Sequence, residues 1–222
     1  MSENRPFSME TAACDEEYEP SSEYDSSFAL QIFAAREAVF KILAKESLSI
    51  HEKLIVILDM GSKIQQCINT DEYDNIKSVV NDYLKEGIAH TLDETRNLSD
   101  SGQFEDISLQ QGIRQILYPY EEMEVLNPEW EVILKDIIDS LFEQMSDEEY
   151  NILNEEFGTY MVSRAYEYRQ LLEYLVFRYF AKSIYDYDFL GKCQMLVTNF
   201  FVIRQMDIIR WLDNHRAYSF KD

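Results

Sequence analysis

The residues best suited to chemistry in this chain lie between Glu173 and Arg204, where charged and aromatic side chains interrupt apolar helical patterns. Lys182 and Asp186 are four apart and can pair on one helix face. Arg178 and Lys182, also four apart, stack like charges at a cost of about 0.3 kcal/mol. Glu173, Asp188, Lys192 and Arg204 complete the set. An unpaired ion beside buried surface costs several kcal/mol, so these charges need partners. Two arrangements satisfy them: a salt-bridge network that ties the helices together, or a polar pocket that takes an anionic or carboxylate-bearing ligand. Tyr179, Tyr185 and Tyr187 can line a small aromatic pocket, or act as core residues with a hydroxyl at the edge. Asp186 and Asp188 can orient a substrate amine, or cap the helix that follows.

The elements that must position these residues follow from the apolar periodicity. Leu171, Leu172, Leu175, Val176, Tyr179 and Phe180 make a wide apolar stripe on one helix. A second helix is predicted from Phe189 to Asp213, with no charged side chain between Lys192 and Arg204. That run falls short of the roughly 20 residues a bilayer needs, so it reads as a core helix. The expectation is a buried helical hairpin over 164–213 around which the rest packs. Six Gly and four Pro are few for a turn-rich β protein, while 15 Tyr and 13 Phe supply a real core. The fold class is therefore all-α, a multi-helix orthogonal or bundle-like domain.

Upstream, residues 1–27 are acidic and Ser-rich and read as a disordered arm. Residues 28–96 read as an N-terminal helical subdomain. Its first helix runs from Phe28 to Lys45, with Leu30, Phe33, Ala34, Ala38, Phe40, Ile42 and Leu43 facing inward. Ser49 and Glu52 have the spacing of a capping box at the start of the second helix. A third helix spans Asp71 to Glu86 and stops at Gly87. Residues 97–107 read as a loop, on the composition of Asn97 to Gly102. Residues 108–222 form a C-terminal subdomain that holds the hairpin. Its signals are a short helix from Ser108 that ends before Pro119, a start at Asn127-Pro128-Glu129, and a second capping box at Ser146 and Glu149.

The formal charge of −22 repels a phosphate backbone, which argues against nucleic-acid binding. It suits a lysine-bearing protein partner, or simply keeps the protein in solution. Neither a secretory leader nor a transmembrane span is read in the sequence, so the expected compartment is the cytoplasm. Cys14, Cys67 and Cys193 are far apart, as are His51, His90 and His215. No metal site and no iron–sulfur cluster is therefore expected within this chain. Phosphate-binding loops, GxGxxG turns and GxSxG elbows are missing.

Two stretches carry a resemblance. The segment Glu173 to Trp211, with LEYLVFRYFAKSIYDYDFLGK at its core and FFVIRQ after it, resembles the C-terminal region of the bacterial flagellin lysine-N-methylase family. REAVFKILAKESLSIHEKLIVILDMGSKIQ, Arg36 to Gln65, is similar to the middle region of the same family, in the same order and spacing. The resemblance implies transfer of a methyl group from S-adenosylmethionine to lysine side chains of flagellin. Family members usually begin with a cysteine-rich region linked to an iron–sulfur cluster, and this sequence shows no such cluster. It is thus expected to be a fragment whose cysteine-rich part lies on another chain, or a shortened, inactive relative. The alternative function is a non-catalytic helical binding module or adaptor. For methyl transfer, Glu173, Tyr179, Tyr185, Tyr187, Asp186 and Asp188 have the character to hold a sulfonium and an amine. Arg178, Lys182, Lys192 and Arg204 have the character to hold the donor's carboxylate.

Overall fold

The computed structural model describes residues 26–101, 107–122 and 128–218, and every regular element among them is helical. The arm expected over 1–27 lies outside these residues except at its end, where Ser26 already opens α1 (Ser26–Leu43). Two compact units divide the chain. One combines Met1–Asp100 with Ala165–Leu196; the other combines Ser101–Arg164 with Val197–Asp222. The division interleaves the chain, so the expected split into 28–96 and 108–222 is not the one the contacts draw.

In the first unit, α1 buries Phe28, Ile32, Ala35, Val39 and Ile42, a spacing of four, three, four and three that winds one stripe along the helix. Leu30 and Phe33, expected inside, are 68% and 40% exposed. Both faces of this helix are apolar, so periodicity alone cannot choose between them. α2 (Ile50–Asn69) starts at the expected capping box: the Ser49 hydroxyl accepts from the Glu52 backbone N–H, and the Glu52 carboxylate accepts from Ser49. Its buried Gly61 leaves no room for a side chain, since a Cβ there would stand 2.6 Å from the Cys193 Sγ.

A short turn at Tyr73–Asn75 leads into α3 (Ile76–Asp82). The helix does not stop at Gly87. It widens into a π-turn over Tyr83–Gly87 and continues as α4 (Ile88–Asp100). A glycine stops a helix where it takes a left-handed conformation. Gly87 has no positive φ and stays within the helix. α4 also covers Asn97 to Asp100, in place of the expected loop. This stretch contains neither Pro nor Gly, and Arg96 just before it ties to Asp93 and to Glu52 of α2.

In the second unit, α5 (Leu109–Glu121) is capped by Ser108 and runs through Pro119 instead of ending before it. Proline forfeits one backbone hydrogen bond, a tolerable loss in a last turn. α6 (Pro128–Ile138) starts at its proline as expected, while the expected cap Asn127 lies outside the described residues. A π-turn at Asp139–Glu143 follows. α7 (Asp147–Met161) opens on the second capping box, with Ser146 and Glu149 bonded in both directions.

α8 (Ala165–Tyr179) returns to the first unit and lies against α1 and α2. A tight turn at Phe180–Lys182 and the single-turn α9 (Ser183–Asp186) lead to α10 (Phe189–Asp213). The expected hairpin is thus two helices with different neighbours. The backbone of α8 runs closest to α1 and α2, and α10 begins in one unit and ends in the other.

Candidate functional site

The turn that ends α9 and starts α10 gathers four of the candidates, Asp186, Tyr187, Asp188 and Lys192. Tyr187 adopts a left-handed conformation (φ 56°), which reverses the chain, and its ring stacks on Phe28 at 5.0 Å. Asp188 then caps α10, its Oδ1 accepting from the Gly191 backbone N–H at 2.8 Å. Gly191 leaves room for this cap, because a Cβ would lie 2.0 Å from the Asp188 carboxylate and displace it. Lys192 Nζ sits 2.5 Å from Asp186 and 3.7 Å from Asp188. Asp186 also accepts from the Asp188 backbone N–H at 3.1 Å. Gln65 of α2 closes the turn: its Oε1 accepts from the N–H groups of Phe189 and Leu190, and its Nε2 donates to the Tyr187 carbonyl. Each of these polar groups satisfies a helix end or a neighbouring charge, so the arrangement holds a turn in place.

The other candidates do not join it. Lys182 does not reach Asp186; its Nζ stands 5.1 Å from the Tyr179 ring, and Asp186 goes to Lys192 instead. Arg178 and Tyr185 are exposed. Arg204 belongs to the second unit. There it is buried and donates to the side chain and the backbone carbonyl of Asn154, with its guanidinium 5.3 Å from the Phe157 ring. Beside it, the Tyr150 hydroxyl donates to Gln205 Oε1 at 2.8 Å.

Glu173 has its own surroundings, which the sequence does not announce. It is buried on α8, with Arg169 Nε at 3.8 Å on the same helix and buried Lys53 of α2 facing the pair. Burial pushes the Glu173 carboxyl above its ordinary range, with Arg169 and Lys53 pulling the other way. The Lys53 amine is pushed down, first by burial and then by Arg169, against the pull of Glu173 and Glu46. Arg169 Nε is buried without a hydrogen-bond acceptor. Two cations thus face the one buried carboxylate, with exposed Glu46 acting on Lys53 from outside. Arg169 and Glu173 are four apart, a spacing from which a sequence reading can pair them; Lys53 lies over a hundred residues upstream and gives no signal.

A second missed cluster hangs on Asp59 of α2. Its carboxylate accepts from Lys63 at 3.2 Å, from Thr91 at 2.6 Å and from the Tyr83 hydroxyl. The π-turn places Tyr83 in this network; such turns are frequent at functional sites. Burial pulls the Asp59 carboxyl upward, but the bonds from Thr91, Tyr83 and Lys63 outweigh it and hold it below its ordinary value.

Cys193 is fully buried, and burial, helped by Asp188, drives its thiol far above the usual range, so it is no nucleophile. Among the described residues, no three His, Cys, Asp or Glu side chains stand together as metal ligands, and no helix is long and apolar enough to cross a membrane.

Comparison with protein families matches residues 36–222 to the FliB lysine N-methylase C-terminal domain. No curated protein and no solved structure matches.

Proposed function

The chain belongs to the FliB lysine N-methylase C-terminal domain family, and from that premise we propose that it serves methylation of flagellin lysines as the helical part that engages the protein substrate. The observation that carries this reading is how the candidate charges are used. Lys192 is taken up by Asp186 and Asp188, and Asp188 is further committed to the start of α10. Methyl transfer needs a dry pocket that aligns a neutral amine with the sulfonium methyl of S-adenosylmethionine. The residues expected to hold that donor's carboxylate do not fit it together: Arg178 and Lys182 are exposed, as is Tyr185, and Lys192 and Arg204 already have partners. On this reading the donor and its chemistry come from a further, cysteine-rich part, on this protein or on a separate chain, in the cytoplasm. The net charge of −22 favours a lysine-bearing partner.

The Lys53–Arg169–Glu173 cluster supports a second reading, in which this chain itself holds a carboxylate-bearing ligand such as the donor. The orphaned Arg169 Nε and the two cations gathered at one buried carboxylate are what a further carboxylate would satisfy. One pair of measurements separates the two. Purified chain is titrated with flagellin in a calorimeter, and its melting temperature is followed against S-adenosylmethionine. Flagellin binding with no thermal shift supports substrate engagement. A saturable rise in melting temperature, lost in Arg169→Met, overturns it in favour of a donor site, because a ligand of the native state stabilises by mass action.

A further inference from the structure

The second unit carries a cavity of about 290 Å³ beside α5 and α6. Trp130, Leu134 and Ile138 recur at every fourth position of α6 and line it with one apolar stripe. Tyr120, in the last turn of α5, supplies the second aromatic wall. The two rings stand 6.1 Å apart with their planes at 63°, an edge-to-face pair, and both line the cavity. A second stripe, Glu131, Lys135 and Asp139, runs beside the first along the cavity. Glu121 also lines it and is paired with Arg114. Lys135 can offset one of the two remaining carboxylates, which leaves the cavity with a net negative charge.

We propose that this cavity receives the methylated ammonium group of a lysine side chain presented by a partner protein. Aromatic faces attract a cation through their quadrupole, most strongly for Trp, within about 6 Å of the ring centroid. The carboxylates add attraction without having to touch the ligand. The apolar stripe decides between bare and methylated lysine. An unmodified ammonium carries three N–H donors and gives up more hydration on meeting Leu134 and Ile138, while a trimethylated one carries none. The volume lies at the bottom of the range for small-molecule sites, which suits one side chain and not a nucleoside-sized cofactor. Burial also pushes the Tyr120 hydroxyl upward, so its ring stays a neutral phenol at working pH. The cavity's own residues carry all of this, whether or not the chain engages flagellin.

The test is calorimetric titration with three small probes: N-acetyl-trimethyllysine amide, N-acetyl-lysine amide, and the neutral analogue with carbon in place of the charged nitrogen. Because none of them is flagellin, the outcome is independent of whether flagellin binds. The trimethylated probe should bind at least about tenfold more tightly than the other two. Trp130→Leu should weaken it about tenfold, Trp130→Phe less, and the acidic pair Glu131→Gln with Asp139→Asn about threefold. The acidic pair keeps the test decisive if loss of the indole disturbs folding. Equal binding of the neutral analogue would make the site a plain apolar pocket, and equal binding of unmodified lysine would remove the preference for methylation. Failure of the trimethylated probe to bind, or indifference to all these substitutions, would also overturn the proposal.

Discussion

Two ionic clusters in the first unit are near mirror images. Around Glu173, two cations, buried Lys53 and part-buried Arg169, face one buried carboxylate. At the start of α10, two carboxylates, Asp186 and Asp188, share one cation, Lys192, and the carboxylates are about half exposed. The surface cluster is also braced by backbone donors and by Gln65, whereas the buried one leaves Arg169 Nε with no acceptor. The difference is one of supply. Hydrogen bonds to water and to helix ends make excess charge cheap at the surface, and their absence makes it costly inside.

Removing the lone buried carboxylate should break the first cluster and should cost more than any single change at the surface one. Glu173→Leu leaves Arg169 without its ion-pair partner and Lys53 with only Glu46 as a counter-charge, a loss of about 3 kcal/mol. The check is the urea midpoint at constant m-value. Adding Lys53→Met to that variant should recover part of the loss. A loss that the second substitution leaves untouched would mean that the two residues do not interact.

What the sequence makes legible in these clusters, and what it hides, divides by distance along the chain. Both capping boxes stand as expected because Ser49 with Glu52 and Ser146 with Glu149 are local pairs. Asp188 proves to be a cap, one of its two open readings, and its partner Gly191 is three residues away. Gly87 and Pro119 mislead, because tertiary packing can carry a helix through a residue that usually ends one. Lys53 with Glu173, Gln65 with Phe189, and Arg204 with Asn154 are pairings across the chain that no local pattern announces. The all-α class needs only composition and periodicity. The site depends on which helices lie side by side, and α8 lies against α1 and α2.

Relieving the buried excess of cation should raise stability. Burial and Arg169 lower the Lys53 pKa from its ordinary 10.5 in the folded protein, so the charged amine penalises the native state below that lowered value. The penalty fades as pH rises through the folded pKa and is gone above 10.5, where the unfolded chain also loses its proton. Lys53→Met should therefore be more stable than the natural chain near neutral pH, by about 1 kcal/mol or less. Its advantage should close as pH approaches 10.5. Melting temperatures of the two proteins from neutral to alkaline pH give the difference curve directly. A gap that widens with pH would reverse the sign and with it the claim that Lys53 is held charged against its preference.

Lys192→Met should have the smallest effect. Although Lys192 Nζ touches two carboxylates, both of these are open to water, and exposed pairs contribute less than about 1 kcal/mol. Asp188 keeps its bond to Gly191 without the lysine, and Gln65 keeps the first two N–H groups of α10, so the helix start should survive. The loss should also shrink as salt is raised, since the Debye length falls to about 3 Å at 1 M. Stability in low and high salt, for the natural chain and for Lys192→Met, measures this. If the variant instead lost as much as Glu173→Leu, and salt did not reduce the loss, Lys192 would be acting as a buried ion. The contrast between a surface cluster that can spare its cation and an interior one that cannot spare its carboxylate would then fail.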